Sequence, residues 1–185
     1  MLPEHRVETL LSEEEIRARV TSLGKEITRD YSDRSEPLLL VGVLKGATLF
    51  LADLVRAIDR PVEFDFVAVS SYGASTKTSG EVRVLKDLDS SVAGKHVIIV
   101  EDILDTGLTL RFSYLIETLK TRNAESVKIC VLLNKPSRRR VEVPVDYCGF
   151  TIEDRFVVGY GMDYAEQYRQ LPYIGVVTHL DDEAL

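Results

Sequence analysis

Apolar residues along this chain fall into short unbroken runs separated by stretches of helical spacing. Residues 97–100 read Val-Ile-Ile-Val, and an uninterrupted β-branched run of that length marks a strand buried on both faces. Residues 38–43 and 126–133 repeat the kind, and residues 62–70 alternate weakly as a further strand. Between the runs, Leu49, Phe50, Leu54, Val55 and Ile58 trace one helix, and Phe112, Leu115, Ile116 and Leu119 trace another. Ahead of them Ser12-Glu13-Glu14-Glu15 has the form of a capping box, from which Ile16, Val20, Leu23 and Ile27 keep an apolar stripe to about Arg29. Strand and helix units repeating in this way predict an α/β fold, a mainly parallel sheet flanked by helices. From 147 to 177 the pattern breaks into short strands and turns, read as a small β-rich hood. A chain of 185 residues buries one sizeable core and is too short for two ordinary ones, so a single domain spanning 1–185 is expected.

In open sheets of this kind ligands gather at the carboxyl ends of the strands, so the polar breaks after the buried runs are where chemistry is expected. The run at 97–100 leads into Glu101 and Asp102, then into Asp105-Thr106-Gly107-Leu108-Thr109 and a helix. A loop rich in Thr and Gly at a helix start offers unpaired backbone N–H groups to an anion such as phosphate. The acidic pair beside it would repel a phosphate, which leaves sugar hydroxyls, or Mg2+ carried in with the ligand, as its targets. A solvated turn on an ordinary α/β core is the competing reading. Against it, Glu101, Asp102 and Asp105 crowd one strand end and repel one another unless a ligand or metal uses them. Asp-Thr-Gly also occurs in aspartic proteases, but those need two such aspartates sharing a proton and this chain has one copy. A Gly-x-Gly-x-x-Gly fingerprint and a P-loop are both absent.

Four other features are less distinctive. Leu44-Lys45-Gly46, between a strand and a helix, reads on its own as a tight turn. Lys135 in Asn134-Lys135-Pro136 reads as a solvated cation, and Phe156 as a core residue. Residues 71–91, opening with Ser71-Tyr72-Gly73, form a long polar connection whose plain reading is an exposed hairpin.

Composition narrows the partners. The net charge of −7 disfavours a polyanion-binding surface while allowing a small anionic substrate, so no nucleic acid is expected as a partner. The one basic run, Arg138-Arg139-Arg140, reads as a solvated loop. Cys130 and Cys148 lie in apolar stretches without metal-ligand spacing, which suits packed, reduced thiols. His5, His96 and His179 are scattered. No apolar run approaches the roughly 20 residues of a membrane span, and the N-terminus has no apolar signal core, so a cytoplasmic protein without a membrane partner is expected.

The acidic pair after an apolar strand, followed by Asp-Thr-Gly and a hydroxyl residue two further on, resembles the phosphoribosyl diphosphate signature of the type I phosphoribosyltransferases. Leu44-Lys45-Gly46, Lys135 and Phe156-Val157-Val158-Gly159-Tyr160 with Asp163-Tyr164 narrow the resemblance to the hypoxanthine and hypoxanthine-guanine members, over about residues 38–177. The resemblance implies transfer of 5-phosphoribosyl from phosphoribosyl diphosphate to a 6-oxopurine, with Mg2+ as cofactor. It puts the ribose phosphate on Glu101, Asp102, Asp105, Thr106, Gly107, Leu108 and Thr109, and makes Asp105 the general base. Pyrophosphate falls to Leu44, Lys45, Gly46 and Arg169, the purine to Lys135, Phe156, Val157 and Asp163, and the metal to Glu101, Asp102 and Asp163. Residues 71–91 become a mobile lid carrying Ser71 and Tyr72, residues 147–177 the purine-binding hood, and the assembly a dimer or tetramer. Some members carry Lys where this chain has Leu108, a departure that spares a loop binding through backbone amides. A xanthine-guanine enzyme is the nearest alternative, with Phe-Val-Val-Gly-Tyr favouring hypoxanthine. An RNA-binding pyrimidine-operon regulator on the same fold is the other, and the acidic charge counts against it.

Overall fold

A computed structural model describes residues 5–71, 82–105, 109–136 and 144–179. The elements run β1 (His5–Leu11), α1 (Glu13–Asp30), β2 (Leu38–Val43), α2 (Thr48–Ala57), β3 (Glu63–Ser71), β4 (Val82–Lys86), β5 (His96–Leu104), α3 (Thr109–Thr121), β6 (Ser126–Asn134), β7 (Tyr147–Thr151), β8 (Val157–Val158) and β9 (Ile174–His179). Six strands form one sheet in the order β4-β3-β2-β5-β6-β7, parallel except for β4, which runs antiparallel to β3. A small antiparallel sheet, β1-β9-β8, stands apart from it.

The apolar runs are the interior strands. All six residues of β2 are buried, and β5 is buried at every position but Ile103. One layer of core packs Leu38, Leu40, Ile98 and Val100 with Phe50, Leu51 and Leu54 of α2 and Leu23 and Ile27 of α1. The opposite layer packs Leu39, Val41, Val97 and Ile99 with Phe112, Leu115 and Leu119 of α3. Alternate residues of each strand thus serve opposite layers, which is why the runs are continuous rather than alternating. The α1 capping box forms as the sequence indicates: Ser12 Oγ accepts from Glu15 N at 3.2 Å and Glu15 Oε2 accepts from Ser12 N at 2.8 Å.

Helices α1 and α2 meet at Gly24, where an added Cβ would lie 2.4 Å from Ala57 O. The obstacle is backbone, so the helices themselves must separate. Gly24→Ala is expected to destabilise by about 1–3 kcal/mol through overpacking, despite Ala's better helix propensity. Thermal unfolding should register a drop of several degrees; an unchanged or raised midpoint would show that the helix pair gives way freely.

The hood differs from its expected bounds. Residues 147–151 are β7, the edge of the large sheet, because Cys130 and Val131 of β6 take Tyr147 and Cys148 as parallel partners. In their place the small sheet takes in β1, for which the hydrophobic pattern gave no element, pairing Val7 with Val177. Arg19 of α1 covers the free edge of β7, donating from Nε to Gly149 O at 2.9 Å and from Nη2 to Cys148 O at 2.6 Å.

In the 71–91 connection, β4 pairs with β3 from Ser71 opposite Val82 onward. Lys86 Nζ then bonds Phe66 O at 3.0 Å and Asp65 Oδ1 at 3.3 Å, and Asp65 Oδ2 accepts from Asp89 N at 2.7 Å. The stretch beyond 82 is therefore tied to β3. Tyr72 lies outside the described residues, as do Thr106, Gly107, Leu108 and the Arg138-Arg139-Arg140 run. Among the described residues no helix is long and apolar enough to cross a membrane.

Candidate active site

The carboxyl ends of β2, β5 and β6 lie side by side, and the corners leaving them face one another across that edge. At the β2–α2 corner, Leu44 N donates to Val67 O at 2.9 Å, and Thr48 Oγ1 donates to Lys45 O at 2.6 Å. The Leu44–Lys45 peptide is cis. Gly46 has no room for a side chain: a Cβ there would lie 1.9 Å from Asp102 Oδ2. Gly161 approaches from the other side, where its own Cβ would lie 2.1 Å from Gly46 O. Two glycines thus let three stretches of chain, from β2–α2, β5 and the loop after β8, close on one point.

Arg169 fastens that loop. Its Nη1 donates to Gly161 O at 2.6 Å and its Nη2 lies 2.8 Å from Asp163 Oδ1, while its buried Nε has no partner among the described residues. What Arg169 offers an anion is the charge of its partly exposed guanidinium beside the glycine corner, since the Nε itself is sealed from solvent. Lys45 Nζ lies 2.9 Å from Glu166 Oε2, but both side chains are two-thirds exposed and the pair carries little weight in stability.

The acidic pair sits inside β5 rather than after it, because β6 continues to pair alongside, with Glu101 opposite Val131 and Leu104 opposite Asn134. Both carboxylates are buried. Glu101 Oε1 accepts from Asp102 N at 3.2 Å and Asp102 Oδ1 from Ile103 N at 2.8 Å. Burial pushes the Asp102 carboxyl above the ordinary range, against the lowering effect of hydrogen bonds from the Glu101 side chain and the Ile103 and Asp102 backbone and of the Arg169 charge. Among the described residues no three His, Cys, Asp or Glu side chains converge as a metal site. Glu101, Asp102 and Asp163 are therefore not gathered as a metal set, since Asp163 is drawn to Arg169 and accepts from Glu166 N at 2.8 Å. A pair of neighbouring carboxylates does fit Mg2+, which keeps several waters and is held by one or two carboxylates plus substrate oxygens.

Lys135 is 5% exposed, not a solvated cation. Its backbone N donates to Leu104 O at 3.1 Å, extending the β5–β6 edge, and its Nζ donates to Arg155 O at 2.5 Å. The ammonium stands 4.0 Å from Asp105 Oδ2 and 3.9 Å from Asp154 Oδ1. Neither Asp154 nor the Arg155 carbonyl was apparent in the sequence, where nothing near Lys135 points to them. Phe156 also departs from its expectation as a core residue, being 53% exposed with Tyr164 edge-on at 5.6 Å. Val157 is buried and pairs with Val176, and Val177 N donates to Phe156 O at 3.0 Å. The strand pair thus holds an exposed aromatic face near a buried ammonium. Ser71 closes β3 at the same end of the sheet as Leu44, which bonds β3 at Val67.

Residues 6–165 match the phosphoribosyl transferase domain family. The chain is 51% identical over 178 residues to the hypoxanthine phosphoribosyltransferase of Salmonella typhimurium, covering 96% of this chain and 99% of that one. It is 55% identical over 174 residues to the hypoxanthine-guanine phosphoribosyltransferase of Bacillus subtilis, covering 94% of each. Its fold superposes on a crystal structure of a hypoxanthine phosphoribosyltransferase from Staphylococcus aureus with a TM-score of 0.85 at 47% identity, over 92% of this chain and 91% of that one. Identity at this level, spread over nearly the whole length of both chains and carried by the same backbone, makes the chain a member of the phosphoribosyl transferase domain family and, within it, of the hypoxanthine phosphoribosyltransferases.

Proposed function

We propose that the protein serves purine salvage, transferring 5-phosphoribosyl from phosphoribosyl diphosphate to N9 of hypoxanthine, with guanine as a second base, to give IMP or GMP and pyrophosphate. The observation that carries this reading is the buried ammonium of Lys135, 4.0 Å from the Asp105 carboxylate. A 6-oxopurine presents an acceptor at O6 and, in its N7–H form, a donor beside it. A cation and a carboxylate at this separation complement the two. Phe156 offers its face to the ring, and Val157 its backbone.

In the transfer, N9 bonds to the anomeric carbon as the bond to the pyrophosphate oxygen breaks, and the N7 proton passes to Asp105. Positive charge grows on the sugar and negative charge on the leaving group. Arg169, Lys45 and the backbone N–H groups of Lys45 and Gly46 stabilise the latter. The loop from Asp105 to Thr109 takes the 5-phosphate, and Glu101 and Asp102 hold the ribose hydroxyls and would hold Mg2+. The chemistry such an ion would supply is positive charge to offset the negative charge growing on the leaving group. Asp163 acts through Arg169, which it holds in place. Ser71 and Tyr72 have the task of keeping water from the sugar, and the assembly is a dimer or tetramer, which sedimentation velocity measures.

Nucleotide formation assayed with hypoxanthine, guanine, xanthine, adenine and uracil tests the reading. Hypoxanthine is expected to be used well and adenine hardly at all. A preference for xanthine, or for uracil, would replace it.

The acidic pair gives a separate expectation. Glu101→Gln with Asp102→Asn keeps both shapes and removes both charges. Hydrogen bonds to charged groups are worth about 1.5–3 kcal/mol, so phosphoribosyl diphosphate should bind roughly 10- to 100-fold more weakly and lose most of its response to Mg2+. Calorimetry with and without the metal measures this. Intact, metal-responsive binding would remove the pair from the ribose site.

A further inference from the structure

The loop from Gly159 to Arg169 holds an unusual backbone. Besides Gly159 and Gly161 (φ +95° and +102°), four residues with side chains lie in the left-handed region: Tyr160 (+49°), Ala165 (+50°), Glu166 (+65°) and Tyr168 (+74°). A bulky residue in this region is disfavoured, and it persists only where its surroundings over-determine it. At Tyr160 the surroundings are identifiable. Its backbone N donates to Leu171 O at 2.9 Å, and its hydroxyl donates to Asp53 Oδ2 on α2 at 2.5 Å. Burial, and then the carboxylate beside it, raise the phenol well above its ordinary range, so the hydroxyl remains a donor.

The two ends of this bond belong to different parts of the site. Asp53 lies on α2, which starts directly after the 44–46 corner, and Tyr160 lies between Val157 on the purine side and Gly161, whose backbone touches Gly46. The ring itself is packed in the core, while Tyr160, Asp53, Leu49, Arg56 and Leu171 border an open cleft of about 540 Å³ between α1, α2 and residues 170–172, so the bond is made at the margin of that core.

We propose that the Tyr160–Asp53 hydrogen bond keeps the purine segment in register with the pyrophosphate corner, making Tyr160 and Asp53 positioning residues for both substrates. The inference rests on the proposed transferase reading for the identity of those substrates. Both residues act through the backbone they hold. Loss of the bond lets the 157–163 segment shift away from Gly46, weakening purine and pyrophosphate sites together while leaving the reacting groups intact.

Tyr160→Phe keeps the ring and its burial and removes only the hydroxyl. The Asp53 side chain is 45% exposed and regains water, so this variant is expected to fold. It is to be compared with Asp53→Ala and the double variant. Each single change is expected to raise KM for hypoxanthine, and Kd for inorganic pyrophosphate by calorimetry, about threefold to tenfold, the worth of one ordinary hydrogen bond, with a smaller fall in kcat. The double variant should be no worse than the weaker single, as residues acting through one bond are not additive. A lowered unfolding midpoint with unchanged constants would reduce the bond to a structural one, and additive effects would show that the two residues act separately. A wild-type protein that makes no nucleotide from hypoxanthine overturns the transferase reading, and the pyrophosphate arm then still decides the fate of the bond.

Discussion

Replacing Asp105 by Asn is expected to lower the rate of phosphoribosyl transfer by about 10² to 10⁴-fold, the usual contribution of a positioned base, while changing phosphoribosyl diphosphate affinity only a few-fold. Asp105 immediately follows β5, so its backbone is set by the β5–β6 pairing that ends with Leu104 opposite Asn134. Its carboxylate faces the Lys135 ammonium at 4.0 Å, and a purine whose O6 is held by that ammonium presents N7 to the carboxylate. Asn occupies the same volume and still accepts a hydrogen bond, but it has no basic oxygen to take a proton. Because product release often limits turnover, single-turnover rates are the sharper measurement. An undiminished rate in the variant would assign the N7 proton to another acceptor.

The fold was legible where burial on two faces writes a continuous apolar run. β2, β5 and β6 and the helices between them could be read locally, because each residue's neighbour across the layer needs only to be apolar. The two ends of the chain were not legible in that way. β1 finds its partner in β9, with Val7 opposite Val177, and nothing in residues 5–11 announces so distant a pairing. β7 opens the run of short strands and turns that reads as the hood, yet it completes the parallel sheet under the cover of Arg19. The strand carrying the acidic pair was read as ending at Val100. Carboxylates are poor strand residues by type, but β6 continues to pair beside them to Leu104.

The candidate site was less legible than the fold, and for a physical reason. Its residues break the rules by which residue types are read. Lysine ordinarily stays in water, and Lys135 is buried because Asp105, Asp154 and the Arg155 carbonyl converge on it from two other segments. Phenylalanine ordinarily joins the core, and Phe156 is exposed because β8 and β9 hold its backbone at the rim. Tyr160 accepts a left-handed backbone that its side chain disfavours. Such local conflicts with global structure are expected at functional positions, where neighbours distant in sequence offset their cost. Family resemblance pointed to Lys135 and Phe156 through motif position, which the residue types alone would have assigned elsewhere.

Lys135→Ala is expected to remove most of kcat/KM for hypoxanthine without creating activity toward adenine. The ammonium already spends one N–H on Arg155 O, and its buried position leaves the remaining donors for a ligand and the two nearby carboxylates. A 6-oxo group accepts from it. The 6-amino group of adenine brings a second donor to the same point, and a site built to hydrogen-bond one group rejects the analogue lacking it by roughly 10⁴-fold or more. Alanine removes the mismatch but supplies no acceptor, so adenine gains nothing. It also leaves Asp105 and Asp154 without the cation between them, and two carboxylates facing one unfilled space repel each other and any electron-rich ring edge. The loss for hypoxanthine should therefore exceed that of a single hydrogen bond. Comparing kcat/KM for both bases in the wild-type and variant proteins measures it. A variant that keeps the full preference for hypoxanthine would move the choice of base to the backbone around Val157, where β8 pairs with β9.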